Sequence, residues 1–271
     1  MKDKFLLFIP MYNCEKQIVR VLGQIDGEIL KYVSQIIIVN NRSTDGGEDA
    51  ATEYCRIHPE LPVLILRNEE NYGLGGSHKV AFEYAVEHEF DYVIVLHGDD
   101  QGSIRDLLPA LRSGGYRKYD CCLGARFSKK SKLIGYSKFR IFGNYVFNMI
   151  FSVTMRTRVY DLGAGLNMYS TNMLKSRYFH TYPDNLTFNV YMLMATKAYG
   201  QKYCFFPLSW RETDQVSNAK VMSQAVKTLK MAMRFARKGK AFLETDSREI
   251  KRDSYTYQLI DEGENNENQH E

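Results

Sequence analysis

Short apolar runs punctuate the first half of the chain, and each ends in polar or glycine residues. They are "KFLLFIP" (4–10), "QIIIVNN" (35–41), "PVLILRN" (62–68), "DYVIVLHG" (91–98) and the weaker "YDCCLGAR" (119–126). The runs are continuous rather than alternating, which predicts strands covered on both faces, hence a parallel sheet. Helix-period segments lie between or after them, at about 14–30, 45–57, 75–89 and 103–113. The order βαβαβαβαβ predicts a doubly wound α/β unit over residues 1–125, with helices on both faces. Such sheets bind ligands at the carboxyl ends of their strands. That edge gathers Asn13, Asn40, Asn68 and Asp99 along one rim.

The pattern loosens in the second half. Residues 139–155, "FRIFGNYVFNMIFSVTM", are apolar almost all round as a helix. Lys129, Lys130, Lys132, Lys138 and Arg140 flank or open this stretch, and Arg156 and Arg158 follow it. "DLGAGLNMYS" (161–170) and "KYCFFPLSW" (202–210) read as strands, and 186–200 as a helix closed by Gly200. Residues 218–238 predict an amphipathic helix. Its apolar stripe is Met222, Ala225, Val226, Leu229, Ala232, Met233 and Ala236; Lys220, Lys227, Lys230, Arg234, Arg237 and Lys238 take another face. Both helices suit either a membrane surface or packing on the catalytic unit with a solvated basic face. From about 252 the chain is rich in Glu, Asn and Gln, which predicts disorder. The expected division is 1–215 for catalysis (halves 1–125 and 126–215), 216–245 for the basic helix and 246–271 for an acidic tail.

Composition narrows the picture. The chain has 271 residues, 44% of them hydrophobic, enough for a core, and a mean hydropathy of -0.38. A net charge of +4 is too small to imply nucleic acid. Five cysteines, at 14, 55, 121, 122 and 204, lack metal-ligand spacing and suit a reducing compartment. The opening apolar run is too short for a secretory signal, and no window has the roughly 20 apolar residues of a spanning helix. The expected location is cytoplasmic, or peripheral on a membrane.

Three segments carry candidate chemistry. "NYGLGGSHKVAFEYA" (71–85) is a glycine-rich turn opening a helix, either a phosphate cradle or a structural turn. "NNRSTDGGED" (40–49) either caps the next helix through Ser43, Thr44 or Asp45 or holds a base and ribose. "HGDDQ" (97–101) sets two carboxylates side by side after the strongest strand. Asp100 is expected to cap the following helix, leaving Asp99 for a divalent cation.

Taken in order, these segments resemble glycosyltransferase family 2, the GT-A nucleotide-sugar enzymes, and within it the polyprenyl-phosphate sugar synthases such as dolichyl-phosphate mannose synthase. "FIPMYNCEKQI" looks like the opening I-P-x-Y-N-E, and "IIIVNNRSTDGG" like V-D-D-x-S-x-D-G. "NYGLGGSHKVAFEYA" is similar to N-x-G-x-G-A-x-R-x-G, and "VIVLHGDDQ" sits where the family carries D-x-D and Gln. "LGARF", "DLGAGLNMYS" and "WRETDQVSN" (210–218) match later blocks.

The resemblance implies a GT-A fold and an inverting sugar transfer from a nucleotide-diphosphate sugar, with Mg2+ or Mn2+. It implies donor contacts from Pro10, Tyr12, Asn13, Asn40, Asp45, Lys79, Gly98, Asp99 and Gln101. Asp99 and His97 stand at the metal positions; Arg126, Arg140 and Asn144 stand where acceptor phosphate is held; Arg211 and Ser217 belong to a diphosphate-covering loop. His97 and Asn40-Asn41 depart from the family's Asp residues. Asp99 and Arg211 are the expected catalytic groups, with Asp184, alongside Asp161, a candidate base. Few bases and several arginines favour a lipid-phosphate acceptor. A glycan acceptor, or a nucleotide-sugar-binding protein with weak or no catalysis, are the alternatives.

Overall fold

The structure, a computed structural model, describes residues 2–212 and 221–261. In chain order the elements are β1 (Phe5–Met11), α1 (Glu15–Leu22), β2 (Val33–Asn40), α2 (Gly47–Ile57), β3 (Val63–Asn68), α3 (Gly73–Glu87), β4 (Tyr92–Leu96), α4 (Leu108–Ser113), β5 (Cys121–Ala125), β6 (Lys132–Ile134) and α5 (Lys138–Met155). There follow β7 (Leu166–Ser170), α6 (Thr171–Leu174), α7 (Phe188–Ala198), β8 (Tyr203–Pro207), β9 (Ser209–Arg211), α8 (Val221–Lys238), α9 (Lys240–Leu243) and β10 (Tyr257–Asp261).

Among the described residues the main sheet has eight strands in the order β10-β3-β2-β1-β4-β7-β5-β8. β1 to β4 run parallel, whereas β7 is antiparallel to both β4 and β5. Every residue of β1 is buried, as the continuous apolar run requires of a strand covered twice. One face packs Phe5, Leu7, Ile9, Ile36 and Ile38 under α1, α2 and α4. The other packs Leu6, Phe8, Ile37 and Val39 under α3, α7, α8 and α9. This is the mostly parallel, doubly wound α/β architecture expected from the sequence.

Several boundaries differ from expectation. α1 stops at Leu22, because Asp26 turns the chain by accepting from the N–H groups of Glu28 (3.0 Å) and Ile29 (3.2 Å). Segment 103–113 splits into a 3-10 turn and α4, which starts around Pro109, a residue with no N–H to give. The run 202–210 breaks at Pro207: β8 stays in the main sheet, and β9 pairs with β6 in a separate two-stranded sheet.

Residues 246–261 of the expected acidic tail are ordered. Arg252 and Tyr255 anchor to Asp184, and β10 then closes the free edge of β3 in antiparallel register. Polar composition hid this edge strand; residues 262–271 lie outside the described residues. α8 is also rotated from the expected stripe. Thr228, Met231, Ala232 and Phe235 face the core, while Val226, Leu229, Met233 and Ala236 are exposed.

Candidate active site

A cleft of about 510 Å³ opens at the carboxyl ends of β1, β2 and β4. Pro10, Met11, Tyr12, Asn13, Cys14 and Gln17 supply one wall, Asn41, Asn71, Gly73, Leu74 and Ser77 another, and His97, Gly98 and Asp99 the floor, with Leu186 at the side. Gly98 lets β1 and β4 come together: its N–H donates to the Pro10 carbonyl (3.1 Å), and a Cβ there would stand 2.8 Å from that oxygen. Asn13, at φ 49°, ties the wall to the neighbouring loop; its Oδ1 accepts from the Thr44 N–H (2.8 Å). The Cys14 thiol is pushed up to about 12 by burial, with Asp99 and Asp45 adding to it, so it stays protonated.

The two adjacent carboxylates part company. Asp100 takes a left-handed φ of 56° and turns beneath the loop. There it accepts from Arg20 Nε (2.7 Å), Gln24 Nε2 (3.0 Å) and Arg211 Nη2 (3.3 Å). Asp100 is therefore not the expected helix cap; Gln24 Oε1 accepts the Ile104 N–H instead (3.2 Å). Asp99 is left lining the cleft, its Oδ1 accepting from the Gln101 N–H (3.2 Å). Gln101 lies off the cleft lining, and its carbonyl accepts from the Arg211 N–H (2.9 Å), fastening β9 to the acidic loop.

His97 contributes to the cleft, but its Nε2 is buried without a hydrogen-bond partner and its ring packs against Gly165. Burial first, then Arg126, lowers its pKa to about 4, so the imidazole is neutral. His78, 6.1 Å away ring to ring, is held down to about 3 by burial. Among the described residues no group of three or more His, Cys, Asp or Glu converges as a metal cage.

Alternation along β2 separates the asparagine pair. Asn40 turns away from the cleft and donates to Glu48 (2.6 Å), which also pairs with Arg67. Asn41 takes the cleft side: its Oδ1 accepts from Asn68 (2.9 Å) and the Tyr72 N–H (2.8 Å), and its Nδ2 donates to Asn71 (2.8 Å). Asn41, Asn71 and Ser77 were not among the expected contacts; strand parity was an available signal for Asn41 alone, since Asn71 lies in a loop and Ser77 on α3. Asp45 serves the backbone, accepting from the N–H groups of Glu15 (2.9 Å) and Gly47 (3.0 Å).

Lys79 also lies elsewhere than the sequence suggested. It is 0% exposed, and Nζ donates to the Tyr182 carbonyl (2.6 Å), Asp184 (2.6 Å) and Tyr255 (3.0 Å). Burial lowers its pKa to about 8 against the opposing pull of Asp184. Asp184 also accepts from Arg252 (3.2 Å) and Tyr255 (2.7 Å). Its carbonyl accepts the Gly75 N–H (2.7 Å), so chain, not ligand, occupies that donor of the glycine-rich turn. A Cβ at Gly73 or Gly75 would collide with this segment, at 2.5 Å from Asp184 O and 2.4 Å from Pro183 O.

The acceptor candidates cluster beside β9. Arg126 makes a bidentate pair with Asp161 (2.8 and 2.7 Å) and lies over the Trp210 ring. Arg140 pairs with Glu212 and covers Tyr136 (4.7 Å), and Asn144 donates to the Arg140 carbonyl (2.7 Å). Both arginines thus carry their own carboxylates. Ser217 lies outside the described residues.

Residues 7–182 match the family model described as Glycosyl transferase family 2. Several solved structures share the fold. S. aureus TarS 1-349 matches at 20% identity with a TM-score of 0.56, over 87% of this chain and 64% of that one. This chain thus spans less than two thirds of that TarS structure. TarS 1-349 in complex with UDP-GlcNAc matches at 16% identity and TM-score 0.55, covering 90% and 69%. Glucosyl-3-phosphoglycerate synthase from Mycobacterium tuberculosis, in complex with Mn2+, UDP and phosphoglyceric acid, matches at 12% identity and TM-score 0.61, covering 95% and 87%.

Proposed function

The chain belongs to glycosyltransferase family 2 and is a glycosyltransferase, and from that premise we propose that it moves a sugar, with inversion, from a nucleoside-diphosphate sugar to a polyprenyl-phosphate-type lipid. The cleft is the observation that carries the donor half. It joins the ends of β1, β2 and β4, where doubly wound sheets take nucleotides. Its volume lies in the usual range of small-molecule sites. Asn13, Asn41 and Asn71, whose side-chain oxygens each accept twice within the protein, offer amide N–H donors to a base and ribose, and half-exposed Tyr12 offers a ring face at the lip. Structural neighbours described in complex with UDP and with UDP-GlcNAc support a nucleotide-sugar donor.

Mg2+ or Mn2+ fits this donor set in one way. Asp99 supplies carboxylate oxygen to the cleft beside the neutral imidazole of His97, whose Nε2 is buried. Asp99 would hold such a cation, which would supply charge stabilisation to a departing diphosphate. The Mn2+ in one neighbour's structure supports this reading. Arg211, half exposed and paired with Asp100 next to Asp99, supports a cationic role in the same region.

The acceptor half rests on what the carboxylates are doing. A hydroxyl acceptor needs a general base. Asp161 is locked to Arg126, and Asp184 to Lys79 and Arg252. A phosphate acceptor is already anionic and needs no base; Arg126 and Arg140 would supply its cationic contacts by exchanging their present partners, Asp161 and Glu212. This supports lipid phosphate over a glycan. The test is nucleotide release from a panel of nucleotide sugars, with polyprenyl phosphate or with glycans added. Release stimulated by polyprenyl phosphate is expected; release stimulated only by glycans contradicts the acceptor reading, and tight nucleotide binding without any release contradicts catalysis.

A further inference from the structure

α5 and α8 pack against one another, and each leaves an apolar stripe in solvent. On α5 the stripe is Phe139 (74% exposed), Phe142 (67%), Met149 (62%) and Val153 (74%), at helical spacing along one face. On α8 it is Val226, Leu229 and Met233, 40–50% exposed. The opposite sides of the same helices, Phe151 and Met155 on α5 and Met231 and Phe235 on α8, fill the core, so the stripes are surplus to folding. Charge on these helices is of one sign. α5 carries Lys138 and Arg140, α8 carries Lys227, Lys230, Arg234, Arg237 and Lys238, and neither contains an Asp or Glu. Lys129, Lys130 and Lys132, all exposed, lie just before α5.

We propose that the α5–α8 face is a docking surface for an anionic lipid bilayer, on which the protein lies without spanning it. Exposed apolar stripes on two packed helices, accompanied by lysine and arginine, match the boundary between acyl chains and anionic headgroups. No helix among the described residues is long and apolar enough to cross a membrane. A second copy of this chain suits the face poorly, because a two-fold contact would set the cations of α8 against their own copies. The placement deepens the proposed function and rests on it for its consequence. Arg140 and Asn144 lie on the inner side of α5, so docking its outer side holds the acceptor contacts at headgroup depth.

Flotation of the full chain tests the surface. Vesicles of phosphatidylcholine alone are compared with vesicles containing phosphatidylglycerol; neither contains polyprenyl phosphate, so acceptor recognition plays no part. The protein is expected to float with the anionic vesicles, and to be released by raised salt. Phe142→Gln with Val153→Gln, both in solvent in the free protein, is expected to weaken flotation at least about tenfold. Nucleotide binding by that variant should match the parent, which separates lost docking from a failed fold. A parent protein that stays at the bottom of the gradient with anionic vesicles overturns the proposal. So does a concentration-dependent dimer that the same substitutions dissolve. A failed donor screen with intact flotation would count against the proposed reaction alone.

Discussion

Asp184→Asn removes the carboxylate from one of the most enclosed ion pairs in the molecule. Lys79 has 0% side-chain exposure and Asp184 14%. The lysine would keep the Tyr182 carbonyl and Tyr255 hydroxyl but lose its 2.6 Å anionic partner. Breaking a buried pair from one side typically costs about 3–5 kcal/mol, because a charge is left uncompensated. Arg252 loses a carboxylate as well, so the expected loss is at least about 3 kcal/mol, roughly a hundredfold in the folding equilibrium. For a chain of this size it lowers the melting temperature by roughly 6–12 °C. Urea unfolding of Asp184→Asn, of Lys79→Met and of Lys79→Met with Asp184→Leu measures it. The double variant should recover part of the loss, because an apolar pair leaves no buried charge. Unchanged unfolding in Asp184→Asn together with abolished turnover would refute this reasoning and make Asp184 the general base.

Other expectations follow from the same structure. His78 is neutral in the fold, with a pKa near 3 against 6.5 for the free group, so the unfolded chain binds the extra proton first. Stability is then full above pH 6.5 and falls below it, with His78 contributing about 2 kcal/mol at pH 5 and His97 a similar share, so His78→Gln should roughly halve that slope in urea titrations at several pH values. Gly98→Ala drives a Cβ to 2.8 Å from the Pro10 carbonyl, forcing the ends of β1 and β4 apart. A loss of about 1–3 kcal/mol is expected, with nucleotide affinity falling more than in a control such as Gly143→Ala, where the added Cβ meets nothing within 4 Å. Truncation after residue 245 removes β10, Tyr255 and Arg252, so proteolysis should reach the β3 edge and the glycine-rich turn.

Much of this fold could be read from the chain, for identifiable reasons. Strands buried on both faces write themselves as unbroken apolar runs, and β1 to β4 did so. The family's blocks then pointed to the cleft, and Pro10, Tyr12, Asn13, Gly98 and Asp99 line it. What stayed hidden depends on distant partners. Lys79 looked like a nucleotide contact because its acid, Asp184, lies 105 positions away. Asp100 looked like a cap because Arg20 and Arg211 flank it only in space. β10 is an edge strand with Leu259 42% exposed, so its apolar signal is weak. Asn40 and Asn41 were separable by strand parity; the motif resemblance put Asn40 forward, and Asn41 is the member that lines the cleft.

The central claim is that Asp99 holds a cation against a nucleoside diphosphate in this cleft. Calorimetric titration of UDP and GDP into the parent protein and Asp99→Asn, each with and without Mn2+, tests it most directly. At least one nucleotide should bind the parent more tightly with Mn2+, by about tenfold or more, and that gain should vanish in Asp99→Asn while the metal-free affinity changes little. An equal Mn2+ gain in the variant, or no gain in the parent, would contradict the account.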